Sequence, residues 1–109
     1  MRIVVGIFAA LFGGLHLIAG LTQSRSKDPA ARGFAVAMAC GGVELICAAV
    51  VQLMGQLSGW QDAIYAAAGC LLICAAAYAN GRRSGNFHLS HHIVRGMIAA
   101  LLVAGVAVW

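Results

Sequence analysis

The stretch "GFAVAMACGGVELICAAVVQLM", residues 33–54, decides the fold of this chain. Glu44 is its only charged residue, and the rest is mostly apolar or small. A segment of about 20 such residues can cross a bilayer. Because lipid offers the backbone no hydrogen-bond partner, the segment must cross as a helix. The stretch therefore predicts a transmembrane helix with one carboxyl group near its middle.

Three further segments of the same character complete the chain of 109 residues, which is 62% hydrophobic and only 9% charged. A soluble domain carries roughly a quarter charged residues. Short connections force neighbouring helices to be antiparallel. We therefore predict an all-α integral membrane protein, a single transmembrane domain over residues 1–109 with an up-down four-helix bundle. The predicted helices are about 3–22, 33–54, 62–79 and 92–109.

Positive charge is concentrated in the first and third connections, "QSRSKDPAAR" and "NGRRSGNFHLSHH", and is missing from the second, "GQLSGWQ". The positive-inside rule then places connections one and three in the cytoplasm and both termini outside. Trp60 and Trp109 fall on that outer side as interfacial anchors. Arg2 is the one basic residue on the outer side and does not fit the rule. A cleaved signal peptide is not expected, because most of the charge follows the first segment. We expect a bacterial inner (plasma) membrane protein in contact with the lipid bilayer.

Glu44 is the first candidate for a functional residue. We predict that it faces the other helices, because its helix face carries the small residues Ala37, Cys40, Gly41, Cys47 and Ala48. A carboxylate in mid-membrane costs about 2.5 to 3.5 kcal/mol even on the lenient insertion scale. A carboxyl group that exchanges a proton for a cation could couple transport. The alternative is a neutral Glu44 that bonds to the backbone of a neighbouring helix.

His16 is the second candidate, because the small residues Ala9, Gly13 and Gly20 share its helix face. It is predicted to point inward. Its backbone lies roughly 7 to 8 Å from that of Glu44 in depth, at 1.5 Å per residue. Two alternatives stay open: a His16–Glu44 pair that relays protons, or a histidine bonded to one backbone carbonyl.

The sequence "HLSHH" places His88, His91 and His92 beside Arg82 and Arg83. We expect this basic surface to touch anionic lipid headgroups. His88 and His92 share a helix face and are weak metal candidates if helix four starts early. Ser90 as an N-cap would start the helix at His91 and break that pair.

The four cysteines all lie in apolar segments, without C-x-x-C spacing, and are predicted to be free thiols that act as small fillers. No metal or other cofactor is expected. The aromatic and basic pattern of a nucleic-acid surface is missing, so no nucleic-acid partner is expected.

Rows of small residues predict close helix approach, within one chain or between chains. Similar motifs recur at equal spacing from Gly13 to Gly41 to Gly69, and two alternatives stay open: duplication of one hairpin element, or chance matches among a few apolar residue types. The small residues proposed for helix packing are Gly13, Gly14, Gly41, Gly42, Gly96, Ala100 and Ala104.

These features favour a transporter or ion-coupled carrier of a small solute that uses Glu44. So short a bundle encloses little volume, which favours a homodimer.

In layout the chain resembles the small multidrug resistance transporters, which have about this length, four helices and a membrane-embedded glutamate. That family's glutamate lies in the first helix, where this chain has His16, so no site residue carries over. The alternative is a non-catalytic subunit or assembly factor of a larger membrane complex. No catalytic motif indicates an enzyme.

Overall fold

Four long helices make up the protein. The computed structural model describes residues 1–109, with α1 at Arg2–Gln23, α2 at Pro29–Met54, α3 at Gly59–Ser84 and α4 at Leu89–Val108. At 1.5 Å per residue these helices are about 30 to 39 Å long, enough for a hydrocarbon core of about 30 Å. All four are long and apolar enough to cross a membrane. The all-helical, four-helix prediction is confirmed, and the four long apolar helices are compatible with a membrane bundle.

The two basic connections lie at the same end of the bundle, called here the basic end. An ion pair between Arg83, in the last turn of α3, and Asp28, before α2, ties them together. A second bond of this pair, from Arg83 Nη2 to Asp28 Oδ1, measures 2.9 Å. The opposite end, called the far end, holds the second connection, both termini and both tryptophans.

Helices α2, α3 and α4 begin three or four residues before their predicted starts, and capping residues extend the first two of them beyond their apolar parts. Asp28 Oδ1 accepts a hydrogen bond from the Ala30 N–H at 3.2 Å, and Pro29 fills the first helical position, so α2 begins before residue 33. Ser58 donates its backbone N–H to Gln61 Oε1 at 3.1 Å, so α3 begins before residue 62. Hydropathy marks where a helix becomes apolar, whereas caps mark where the backbone turns.

The third connection is shorter than predicted. Helix α3 continues past residue 79 to Ser84 and ends where Gly85 adopts a left-handed conformation with φ of 74°. Helix α4 begins at Leu89, with His88 and not Ser90 as its N-cap, and it ends at Val108. The early start of α4 keeps His88 next to the first helical turn.

Glycines mark the points where the first three helices cross. A Cβ atom added to Gly13 would lie 2.7 Å from the carbonyl oxygen of Gly42, and one added to Gly41 would lie 2.8 Å from that of Gly69. Backbones therefore touch with no side chain between them, as small residues allow in membrane helices. Gly13, Gly41 and Gly42 lie at these two crossings, and so do all three of the equally spaced glycines.

The other predicted packing residues do not pack within the chain. A Cβ atom added to Gly14 or Gly96 would meet no atom within 4 Å. Ala100 and Ala104 are exposed. The small-residue row of α4 therefore faces outward.

Helix α4 is the least buried of the four. Leu45 of α2 and Ile73 of α3 are 0% exposed and form the centre of the core, whereas α4 buries only Ala99, Leu102 and Val106. Helices α1 and α4 meet at the far end, where Gly105 packs against the side chain of Val5. Few other contacts join them. Space is therefore left between α1 and α4 at the basic end.

Candidate functional site

A polar cavity of about 520 Å³ occupies that space at the basic end. All four helices and the third connection contribute to its wall. All four histidines of the chain line it, namely His16, His88, His91 and His92. Arg95 of α4 and the side-chain amides of Gln23, Asn80 and Asn86 line it as well. We call it the histidine cavity; it is the largest concentration of polar side chains in the bundle.

The local fold explains why the ring of His92 fits there. Gly81 of α3 faces it, and a Cβ atom at Gly81 would lie 3.1 Å from His92 Nε2. Phe87 stacks on the His92 ring with centroids 4.8 Å apart, and Tyr78 meets Phe87 edge-on at 5.3 Å. The guanidinium of Arg82 lies 5.4 Å from the centre of the Phe87 ring. The aromatic groups therefore hold His92 against the cavity wall.

His16 is the deepest of the histidines, well inside α1. Its Nδ1 lies 2.8 Å from the carbonyl oxygen of Phe12. A carbonyl only accepts, so Nδ1 carries the proton and Nε2 of the neutral ring is an acceptor. The alternative of a histidine bonded to one backbone carbonyl is therefore the one observed. Glu44 does not line the histidine cavity, and the proposed His16–Glu44 pair does not form.

Arg95 brings a positive charge into the cavity without a carboxylate to balance it. Its Nη1 lies 3.5 Å from Nδ1 of His92. The only ion pair in the chain is the one between Arg83 and Asp28. No aspartate or glutamate lines the cavity. The histidine cavity is therefore cationic at its base.

The histidines at the start of α4 are spread along the cavity wall. The rings of His88 and His91 are 5.6 Å apart, and His88 Nε2 lies 3.1 Å from Oδ1 of Asn86. No three histidine, cysteine or carboxylate side chains are placed to share one metal ion. This geometry suits hydrogen bonding to a ligand better than metal coordination.

Glu44 lies on the outer face of α2, so the prediction that it faces the other helices is wrong. It is half-buried, and Cys40 and Cys47, one turn to either side, are exposed. Shallow apolar grooves of about 470 and 250 Å³ border it. Small residues surround α2 on several sides, including the Gly41 and Gly42 crossings. The small-residue criterion therefore did not identify the buried face, which is centred on Leu45.

All four cysteines are free thiols, as predicted. The further prediction that they fill the interior holds for Cys70, which is buried, and in part for Cys74. Cys40 and Cys47 lie instead on the outer surface beside Glu44. These two thiols mark the face of α2 that the chain leaves uncovered.

Two polar residues at the far end were not identified from the sequence. Gln52 and Asp62 are each 1% exposed, and Asp62 Oδ1 and both amide atoms of Gln52 lack a hydrogen-bond partner. Asp62 lies in the first turn of α3, where the helix dipole favours a carboxylate. Gln52 lies two turns after Leu45 on the same face, and that periodicity could have identified it. The Gln52 amide has no such helix dipole beside it, and nothing in the structure explains why it is unpaired.

Comparison with protein-family models, with curated proteins and with solved structures gives no significant match. The positions and chemistry of the residues described above are therefore the basis for assigning a function.

Proposed function

We propose that this protein is a small membrane carrier whose solute enters the histidine cavity from the basic end. The observation that supports this most is the gathering of four histidines, Arg95 and three amides around one space of about 520 Å³. Ligand sites commonly measure about 300 to 1,000 Å³ and fix their ligand with a few converging polar groups. Polar residues inside a membrane bundle commonly mark a solute pathway.

In this proposal the basic end faces the cytoplasm of a bacterial inner (plasma) membrane, and the termini face out. The first and third connections lie together and carry most of the positive charge, as the positive-inside rule requires of cytoplasmic loops. Trp60 and Trp109 are exposed at the far end, where they suit the outer interface. The solute would then enter the cavity from the cytoplasmic side.

The proposed carrier is a homodimer, with Glu44 at the contact between copies. Glu44 is half-buried near the middle of α2 and forms no ion pair within the chain. A carboxylate facing lipid at this depth costs about 2.5 to 3.5 kcal/mol. A second copy packed on this face would shield both carboxyl groups and let them share hydrogen bonds. Glu44 thereby moves from the solute pathway to the assembly of the carrier.

The second candidate is a subunit or assembly factor of a larger membrane complex. The same uncovered surface favours it, namely Glu44 on α2 and the outward row from Gly96 to Ala104 on α4. Such a subunit would be held by its neighbours through these two faces, and the histidine cavity would have no transport role.

Reconstitution into liposomes separates the two candidates. Uptake is measured for radiolabelled phosphate, lactate, glycine and choline, which represent four charge classes of solute. We expect uptake of at least one above empty liposomes, and loss of that uptake in Asn80→Leu, which removes a cavity amide at similar size. Gln56→Leu is the matched control and should retain uptake, because this exposed amide lies in the second connection, outside the cavity. Folded protein that takes up none of the four contradicts the carrier and favours the subunit.

A further inference from the structure

We infer that the ligand of the histidine cavity carries a phosphate group. This inference rests on the proposed function in one respect: it takes the histidine cavity as the binding site. It adds the chemical group that the cavity binds. It is carried by the charge balance of the wall, by the kinds of hydrogen-bonding groups there, and by the openings of the cavity.

The charge balance calls for an anion. Arg95 is half-buried between the helices, and its one side-chain partner is the ring of His92, at 3.5 Å, which supplies no negative charge. Charged side chains within membrane segments are normally paired. The chain has three acidic side chains: Asp28 is bonded to Arg83, and neither Glu44 nor Asp62 lines the cavity. The anion that pairs with Arg95 must therefore come from outside the chain.

The groups in the wall fit an anion with several oxygens. Arginine offers a planar fork of N–H donors that matches phosphate oxygens, and charge-assisted bonds of this kind are roughly twice as strong as neutral ones. The amides of Asn80 and Gln23 add N–H donors. Neutral His16 adds none, because its Nδ1–H is bonded to the Phe12 carbonyl, but its Nε2 becomes a donor when the ring is protonated. A group with three terminal oxygens can use such donors from several helices at once.

Two sources of phosphate can reach these groups. The cavity opens toward the connections at the basic end, so a soluble phosphate compound can enter from water. It also lies between α1 and α4, whose contacts are few, and the exposed Leu15 belongs to its wall. A phospholipid headgroup can therefore enter from the side. The recognised chemistry is the same in both cases.

The test follows the reactivity of the histidines and requires no transport. Protein in maltoside micelles, which contain no phosphate, is treated with diethyl pyrocarbonate, and the modification of each histidine is followed by mass spectrometry. One series contains sodium phosphate, a second sodium chloride at equal ionic strength, and a third phosphatidylglycerol mixed into the micelles. We expect phosphate or phosphatidylglycerol, but not chloride, to slow the modification of His16 and His92 in a saturable way. At ten times the dissociation constant, mass action gives roughly a tenfold slowing.

Two variants with the same change in charge show whether the site is specific. Arg95→Gln should weaken the protection about 10-fold to 100-fold, the effect of losing one charge-assisted contact. Arg25→Gln should leave it unchanged, because Arg25 is exposed at the same end and does not line the cavity. Circular dichroism confirms that both variants fold.

The results distinguish a soluble phosphate ligand, a lipid headgroup and the absence of a phosphate site. Protection by inorganic phosphate that depends on Arg95 supports a soluble phosphate ligand, and protection by phosphatidylglycerol alone supports a lipid headgroup. Protection by neither, or equal loss in both variants, overturns the phosphate inference while solute uptake could still establish a carrier. Protection that depends on Arg95, without uptake of any solute, would support the phosphate site and contradict the carrier.

Discussion

Gly13 and Gly14 are neighbours in α1, and adding one methyl group to each should have opposite consequences. At Gly13 the new Cβ atom would lie 2.7 Å from the carbonyl oxygen of Gly42 and 3.1 Å from Cγ1 of Ile46. At Gly14 it would meet nothing within 4 Å. Only the first substitution forces α1 and α2 apart.

The size of the effect follows from the comparison of the two variants. Replacing glycine by alanine within a helix gains about 0.8 to 1.0 kcal/mol of helix propensity, and this gain is common to both positions. Overpacking costs about 1 to 3 kcal/mol, and here the obstacle is backbone that cannot rotate away. Gly13→Ala should therefore be less stable than Gly14→Ala by about 1 to 3 kcal/mol.

The assay is reversible unfolding in mixed micelles of increasing sodium dodecyl sulfate content, followed by circular dichroism. The wild type, Gly13→Ala and Gly14→Ala are compared under one set of conditions. Equal stability of the two variants, or a less stable Gly14→Ala, would refute the backbone contact between α1 and α2.

Three shorter predictions concern other parts of the molecule. In a cysteine-free background in intact cells, Ser58→Cys should react with an impermeant thiol reagent and Ser26→Cys should not; the reverse pattern would invert the proposed orientation. Mild oxidation of native membranes should give a dimer linked through Cys47, because that thiol is exposed beside Glu44; a dimer that survives Cys47→Ser without loss would place the contact elsewhere. Hydrogen bonding from Arg83 lowers the pKa of Asp28. The ion pair between them therefore stabilises the fold at neutral pH, and this stabilisation is lost as pH falls below about 4 and Asp28 becomes protonated. The melting temperature in detergent should therefore fall less between pH 5 and pH 3 in Arg83→Gln than in the wild type, and parallel curves would contradict this.

The number and type of helices could be predicted from the sequence, because lipid permits few other structures for such apolar segments. The small-residue pattern indicated Gly13, Gly41 and Gly42, which lie at helix crossings, but equally Gly14 and Gly96, where an added Cβ atom would meet no neighbouring helix, so it located the crossings only in part. The helix starts could not be read from hydropathy, because Asp28 and Ser58 extend the helices into polar sequence. Those capping residues are visible in the sequence and could have corrected the bounds.

The candidate site was predicted only in part. The histidines were identified individually, but their meeting in one cavity depends on how α1 and α4 separate toward the basic end, which is a tertiary feature. Glu44 was assigned to the interior because small residues on its face resemble a packing surface. In α2 small residues occur on the buried and the exposed faces alike, so this criterion could not distinguish them. Gln52 is buried on the same face of α2 as Leu45, and the small-residue criterion did not single it out.

The central claim is that an aqueous cavity enters the bundle from the basic end, and one pair of neighbouring positions in α1 tests it directly. Ala19 lines the histidine cavity, whereas Ile18 is 65% exposed on the outer surface, where lipid would cover it. Ala19→Cys and Ile18→Cys are made in a cysteine-free background and reconstituted in liposomes with the basic end accessible. The rate of reaction with the anionic reagent sulfonatoethyl methanethiosulfonate is then measured for each. Because only a thiolate in contact with water reacts readily, we expect Ala19→Cys to react and Ile18→Cys to remain unmodified. Equal rates at both positions, or reaction of Ile18→Cys alone, would contradict the cavity.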